Sequence, residues 1–265
     1  MICTKFANPV GHGPLDAGLS ARHLEAELDK SLKRLRTDYI DIVLAHRWDM
    51  ACTVDEVSRV FERWVRAGKV LSVGTSNWPV WRMAQLAEQN RATGRLPLAV
   101  SSPKYNLLNR GIELEHIPCA LENGIALVTY QPFQGGILAG RYRRGQQPDP
   151  QSRGAEKPGW MPAIADSLFE RLEALEALAA EAGMGLVPYV TAWVLSRPAV
   201  AAVVVGCRRP EQLRDVLQGA VQQFPQEHEV KLDALFPPPV PLSGESVLDF
   251  QNGAWKLLDS ELCSR

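Results

Sequence analysis

Six short runs of β-branched and apolar residues recur along the chain, at 2–6, 39–45, 70–75, 98–102, 125–130 and 200–205. Stretches with helical periodicity separate them, near 22–35, 53–67, 80–89, 117–123, 168–182, 188–196 and 210–221. Alternation of this kind gives parallel strands joined by crossover helices. The helix ends carry matching punctuation. Ser20 reads as an N-cap, and Thr53 with Glu56 as a capping box in which each side chain satisfies a backbone donor of the other. Gly68, Gly124 and Gly183 follow helix ends, while Pro188 and Pro210 suit first turns.

A length of 265 residues suits a closed (β/α)8 barrel, which needs eight strands. Six would leave two sheet edges unpaired and the core open along a slot, so either a βα pair is absent or something covers the gap. The expectation is therefore an α/β fold, an incomplete barrel of about six parallel strands, with residues 1–265 as one domain. The stretch 140–162, rich in Arg, Gly, Gln and Pro, reads as a long mobile loop on the functional face. An irregular tail, 237–265, opens with Pro237-Pro238-Pro239.

Charge narrows the partners. With 29 Lys and Arg against 30 Asp and Glu, the chain has no bulk attraction for nucleic acid or anionic lipid, and an anionic ligand must be held locally. No apolar run approaches the roughly 18–20 residues that span a bilayer, so no membrane partner is expected. The start, Met1-Ile2-Cys3-Thr4-Lys5-Phe6, lacks the pattern of a signal peptide. Five cysteines without CxxC spacing argue against a disulfide framework or a zinc site. The expected location is a reduced cytoplasm, and no metal is expected.

Several segments stand out as motifs in a fixed order. The first is Ser31-Leu32-Lys33-Arg34-Leu35-Arg36-Thr37-Asp38-Tyr39-Ile40-Asp41, ending at His46. Gly68-Lys69-Val70 with Gly74-Thr75-Ser76-Asn77-Trp78, and Tyr105-Asn106-Leu107-Leu108, follow. Pro132 with Gly136-Ile137-Leu138-Ala139-Gly140-Arg141-Tyr142, and Gly206-Cys207-Arg208-Arg209-Pro210-Glu211-Gln212-Leu213, complete the set. Together, from about residue 2 to 220, they resemble the signatures of the aldo-keto reductase family.

The resemblance implies a (β/α)8 barrel that transfers hydride from NADPH to an aldehyde or ketone of a small molecule. Family catalysis uses an Asp, a Tyr, a Lys and a His, of which Lys5 and His46 match the last two. The family's Asp and Tyr lie on the segment preceding the first strand of this chain, together with two further strands. A mis-assigned start and genuine divergence both account for that. Divergence is favoured by Ser102, which stands where the family has a carboxamide-binding Gln, and by Val216, where it has an adenine-contacting Asn.

For cofactor binding, the resemblance assigns Ser76 and Asn77 to the nicotinamide amide and Tyr130 to the face of the ring. Gly136, Gly206, Arg208, Arg209 and Gln212 fall on the phosphate side. Independently of any family, a helix starting at Pro210 offers free N–H groups and a favourable dipole to phosphate, and two arginines beside it add bidentate capacity for a 2′-phosphate. Arg141-Tyr142-Arg143-Arg144 is a weaker candidate for the pyrophosphate. Trp48, Trp78 and Trp81 fall near the same rim as candidates for an apolar substrate pocket, and Trp255 lies in the tail. His12, His23, His116 and His228 read as surface residues.

Two other functions stay open on the sequence. A lyase, dehydratase or isomerase would keep the cleft and use His46 or Lys5 as acid/base without a cofactor. A non-catalytic scaffold would cover its exposed sheet edges by forming a homo-oligomer.

Overall fold

The computed structural model describes residues 1–240, apart from 14, 148, 151 and 157–163, together with two strands at 247–251 and 254–258. Six strands form one sheet in sequence order: β1 Cys3–Phe6, β2 Ile40–Ala45, β3 Val70–Ser76, β4 Val100–Ser102, β5 Ala126–Tyr130 and β6 Val200–Val204. Every neighbouring pair is parallel. The six strands and their order agree with the sequence pattern, and among the described residues β1 and β6 are the unpaired edges of the sheet. The sheet is that of an incomplete (β/α)8 barrel.

The connecting helices are α1 Ala21–Leu35, α2 Val54–Arg66, α3 Val80–Ala92, α4 His116–Asn123, α5 Arg153–Glu156, α6 Asp166–Glu181, α7 Leu186–Leu195, α8 Pro210–Val221 and α9 Glu229–Leu235. Their starts follow the expected caps. Ser20 accepts a bond from the His23 amide, and Thr53 and Glu56 close a reciprocal capping box. Gly124 ends α4 in the left-handed conformation, at φ +65°, where a side chain would be strained. The sequence pattern did not anticipate α5 and α9, which are four and seven residues long.

Parity along the strands separates two faces. Phe6, Val43, Val73, Leu127 and Thr129 point to the helices and are buried. Their alternates, among them Cys3, Lys5, Ile42, Ser72, Val128, Ala202 and Val204, face inward and keep partial or full exposure. The core thus lies between the sheet and its helices, and the concave face is open. Trp64 anchors that core from α2: it is buried, its ring meets Phe6 edge-on at 5.8 Å, and its indole N–H donates to Glu25 at 2.8 Å.

The tail corrects one expectation. Beyond Phe236 the chain is not irregular throughout, because β7 Val247–Gln251 and β8 Ala254–Leu258 pair as an antiparallel hairpin separate from the main sheet. The loop expected at 140–162 contains α5, and its residues 148, 151 and 157–162 lie outside the described residues. Among the described residues no single helix is long and apolar enough to cross a membrane.

Candidate active site

Lys5, His46, Ser76 and Tyr130 come from or just beyond the C-terminal ends of β1, β2, β3 and β5, the end of a parallel barrel where catalytic groups gather. Inward parity brings them to one rim. The Tyr130 hydroxyl donates to Asn77 Oδ1 at 2.6 Å, and the Asn77 amide donates to Ser76 Oγ at 2.9 Å and to the His46 carbonyl at 3.3 Å. Ser76 in turn donates to the Ser102 carbonyl at 2.8 Å. Asn77 holds φ at +54°, a left-handed value that asparagine tolerates better than most side chains. One chain of hydrogen bonds therefore ties β2, β3, β4 and β5 together beneath the rim.

His46 has a second partner that sequence reasoning missed. The Arg47 Nε–H donates to Asn8 Oδ1 at 3.1 Å, and arginine can only donate. The oxygen of Asn8 therefore faces Arg47, and its NH2 faces His46 Nδ1, at 3.1 Å. Nδ1 accepts that bond, so the neutral ring carries its proton on Nε2 and can donate from there. Burial, with the positive charges of Lys5 and Arg47, holds the His46 pKa below the ordinary imidazole value. Asn8 lies 38 residues from His46, and no motif spacing signals the contact.

Behind Tyr130 opens a cavity of about 520 Å³, lined by residues 130–136, Ala139, Arg141, Arg153 and 204–208. Tyr130, Gly136, Gly206 and Arg208 thus share one site. Gly136 takes φ +105°, and an added Cβ there would lie 2.8 Å from Arg141 Cδ. The turn is held from below by Asn106, fully buried, whose amide donates to the Gln131 carbonyl at 2.8 Å and to Gln134 Oε1 at 3.0 Å. That assigns a task to an asparagine that the sequence had marked only as part of a motif. Gln212 accepts from the Arg208 amide at 2.9 Å. Arg208 pairs with Glu156 of α5, and Arg209 is the exposed N-cap of α8, away from the cavity lining.

Two other expectations are corrected. Trp78 is core, only 2% exposed, and meets the half-buried Trp48 edge-on at 4.7 Å, while Trp81 points out under the Arg82 guanidinium. His23 and His228 are buried rather than on the surface, and His116 is half-buried. His23 Nδ1 meets the Leu15 carbonyl at 2.9 Å, His116 Nε2 the Trp78 carbonyl at 3.2 Å, and His228 Nδ1 the Tyr189 hydroxyl at 3.1 Å. Val216, at the place of the family's adenine-contacting Asn, is buried. The side chain of Trp255 lies outside the described residues. Among the described residues no group of three or more His, Cys, Asp or Glu is placed to hold a metal, and the four described cysteines are free thiols.

The C-terminal rim of a parallel, incomplete barrel sheet thus holds a strand-end lysine and histidine beside a glycine-rich cavity. Residues 1–236 match the model of the aldo/keto reductase family, and the chain belongs to that family. It is 30% identical over 243 residues to the uncharacterized oxidoreductase YrpG of Bacillus subtilis, covering 90% of this chain and 72% of the relative. It is 31% identical over 222 residues to the L-glyceraldehyde 3-phosphate reductase of Escherichia coli K12, covering 82% and 64%. A probable voltage-gated potassium channel subunit beta of Arabidopsis thaliana is 31% identical over 231 residues, covering 85% and 69%. The matches span about two thirds of the length of these relatives.

Proposed function

We propose that this oxidoreductase binds NADPH in the cavity between Tyr130 and Arg208 and reduces an aldehyde or ketone held at His46. The observation that carries the reading is continuity: the cavity wall at Tyr130 is hydrogen-bonded through Asn77 to the strand end that bears His46. Chain chemistry fits such a group. Ser102 shares the inward face with its register partner Ser76, and its hydroxyl is buried without a partner, available to a carboxamide. Gly136 and Gly206 let backbone approach a pyrophosphate, and Arg208 and Arg209 at the start of α8 suit a 2′-phosphate.

A bound nicotinamide would supply the hydride. The remaining work falls to the chain. His46, with its proton on Nε2, donates a hydrogen bond to the carbonyl oxygen and orients it, Lys5 adds positive field where charge grows on that oxygen, and water at the open rim supplies the proton that completes the alcohol. The active site is altered in its carboxamide clasp, where a serine at 102 stands in for a longer amide. A reducing, cytoplasmic location is part of the same reading.

Titration of the purified chain with NADPH, followed by tryptophan fluorescence, tests it. Saturable quenching is expected, and the double variant Arg208→Gln, Arg209→Gln should bind NADPH at least tenfold more weakly while NADH changes little. A folded protein that binds neither nucleotide overturns the reading.

A further inference from the structure

Around His46 and Tyr130 the rim carries cations without acids. Arg47 makes one hydrogen bond, to Asn8, which leaves both terminal nitrogens of its guanidinium unused. No carboxylate pairs with Arg47, Lys5 or Lys104 among the described residues. By contrast, Arg59, Arg63, Arg95, Arg110 and Arg197 each sit on a carboxylate. The nearest acid in sequence, Asp49, uses its two oxygens on the amides of Leu19 and Ala51, both at 2.9 Å. Lys104 is half-buried and is the register partner of Tyr130, so its side chain shares the inward face with that ring. A protein of net charge −1 thus concentrates uncompensated positive charge at the mouth of its site.

We propose that Arg47 docks an anionic group, a phosphate or a carboxylate, carried by the carbonyl substrate itself. A guanidinium with two free terminal nitrogens offers the parallel N–H pair that such groups accept. Asn8 touches both Arg47 Nε and His46 Nδ1 at 3.1 Å, so the guanidinium and the imidazole are neighbours. That adjacency suits a carbonyl compound whose anionic group lies close to its carbonyl, an oxo-acid or a phosphorylated aldehyde. This inference rests on the carbonyl-reductase reading of the same site.

The test reads binding, so it does not require turnover. The whole chain, with isotopically labelled histidine, is titrated at constant ionic strength with glycerol 3-phosphate, with lactate and with neutral glycerol, while the His46 ring signals are followed by NMR. Saturation by glycerol 3-phosphate or lactate, with no response to glycerol, is expected, and the arm that saturates identifies the anion. Arg47→Gln should weaken it at least tenfold and Arg47→Lys by less. Equal binding by Arg47→Gln, or a response reproduced by chloride, overturns the proposal. NADPH titration of the same samples keeps the two readings apart. Loss of anion binding with NADPH retained sinks only this inference, and the converse sinks only the cofactor reading.

Discussion

The Asn8 side-chain amide donates to His46 Nδ1 at 3.1 Å, and the orientation of that amide is dictated by Arg47 on its other side. One asparagine therefore decides which nitrogen of the histidine faces a substrate. Replacing it changes the proton inventory of the site without changing its shape.

Asn8→Asp should reverse the tautomer. A carboxylate accepts from Nδ1–H and stabilises the imidazolium, so the His46 pKa should rise from its depressed position, and NMR titration of the ring protons reads the change. Stability moves with it. In the native chain the folded pKa lies below the unfolded value near 6.5, so the unfolded state binds more protons between the two. This group's contribution to stability is therefore full above about pH 6.5 and is lost as pH falls toward the folded pKa. In Asn8→Asp that dependence should flatten or reverse. An unmoved pKa would remove Asn8 from the site.

Glu156 competes for Arg208. Two hydrogen bonds join them across 52 residues, placing a carboxylate where the proposed 2′-phosphate would dock. Glu156→Gln should tighten NADPH binding at most about threefold, because an exposed ion pair is weak, and should leave NADH nearly unchanged. Isothermal titration with the two nucleotides measures the difference, and weaker NADPH binding would show that Glu156 supports the site instead of blocking it.

How much of this was legible in the sequence follows from distance along the chain. The six strands are local events, written in runs such as Val70 to Thr75, and the Thr53–Glu56 box spans three residues, so both could be read directly. That Lys5, His46 and Tyr130 stand at strand ends, and Gly136 beside the cavity, was legible because each sits beside its own motif. Asn8 was not, because its two partners lie 38 and 39 residues on and any loop asparagine looks alike. Buried His23 and His228 escaped for a related reason: a histidine satisfied by a carbonyl or a hydroxyl leaves no spacing signal. Trp78 looked like pocket wall because it follows a strand end, yet the chain turns there and packs it inward. In the tail, the dipeptide Asn252-Gly253 between alternating apolar residues was a readable hairpin signal that the proline run obscured.

Arg110 clips the far end of the chain to the loop after β4. Its side chain is 5% exposed, pairs with Glu113 and with Asp233 at 2.6 Å, and donates to the Phe236 carbonyl at 2.7 Å. Arg110→Ala strands buried acceptors and an uncompensated carboxylate, so a loss of about 3–5 kcal/mol is expected in urea unfolding. A loss below about 1 kcal/mol would mean that α9 holds its place without the clip.

Gly219 tests the packing of α8 on α7, and two effects oppose each other there. Alanine in a helix interior is better than glycine by about 1 kcal/mol, which alone would make Gly219→Ala stabilising. The added Cβ, however, would lie 2.3 Å from the Pro188 carbonyl oxygen and 2.8 Å from Thr191 Cβ. Backbone cannot swing aside as a flexible side chain does, so α8 must shift off α7, and overpacking of this kind costs about 1–3 kcal/mol. The steric cost exceeds the propensity gain, and a lowered melting temperature is expected. Because α8 also presents Arg208 and Gln212 at its start, the same shift should weaken NADPH binding without touching a residue that lines the cavity. A variant that melts higher than the parent would show that the two helices are not in close contact at Gly219.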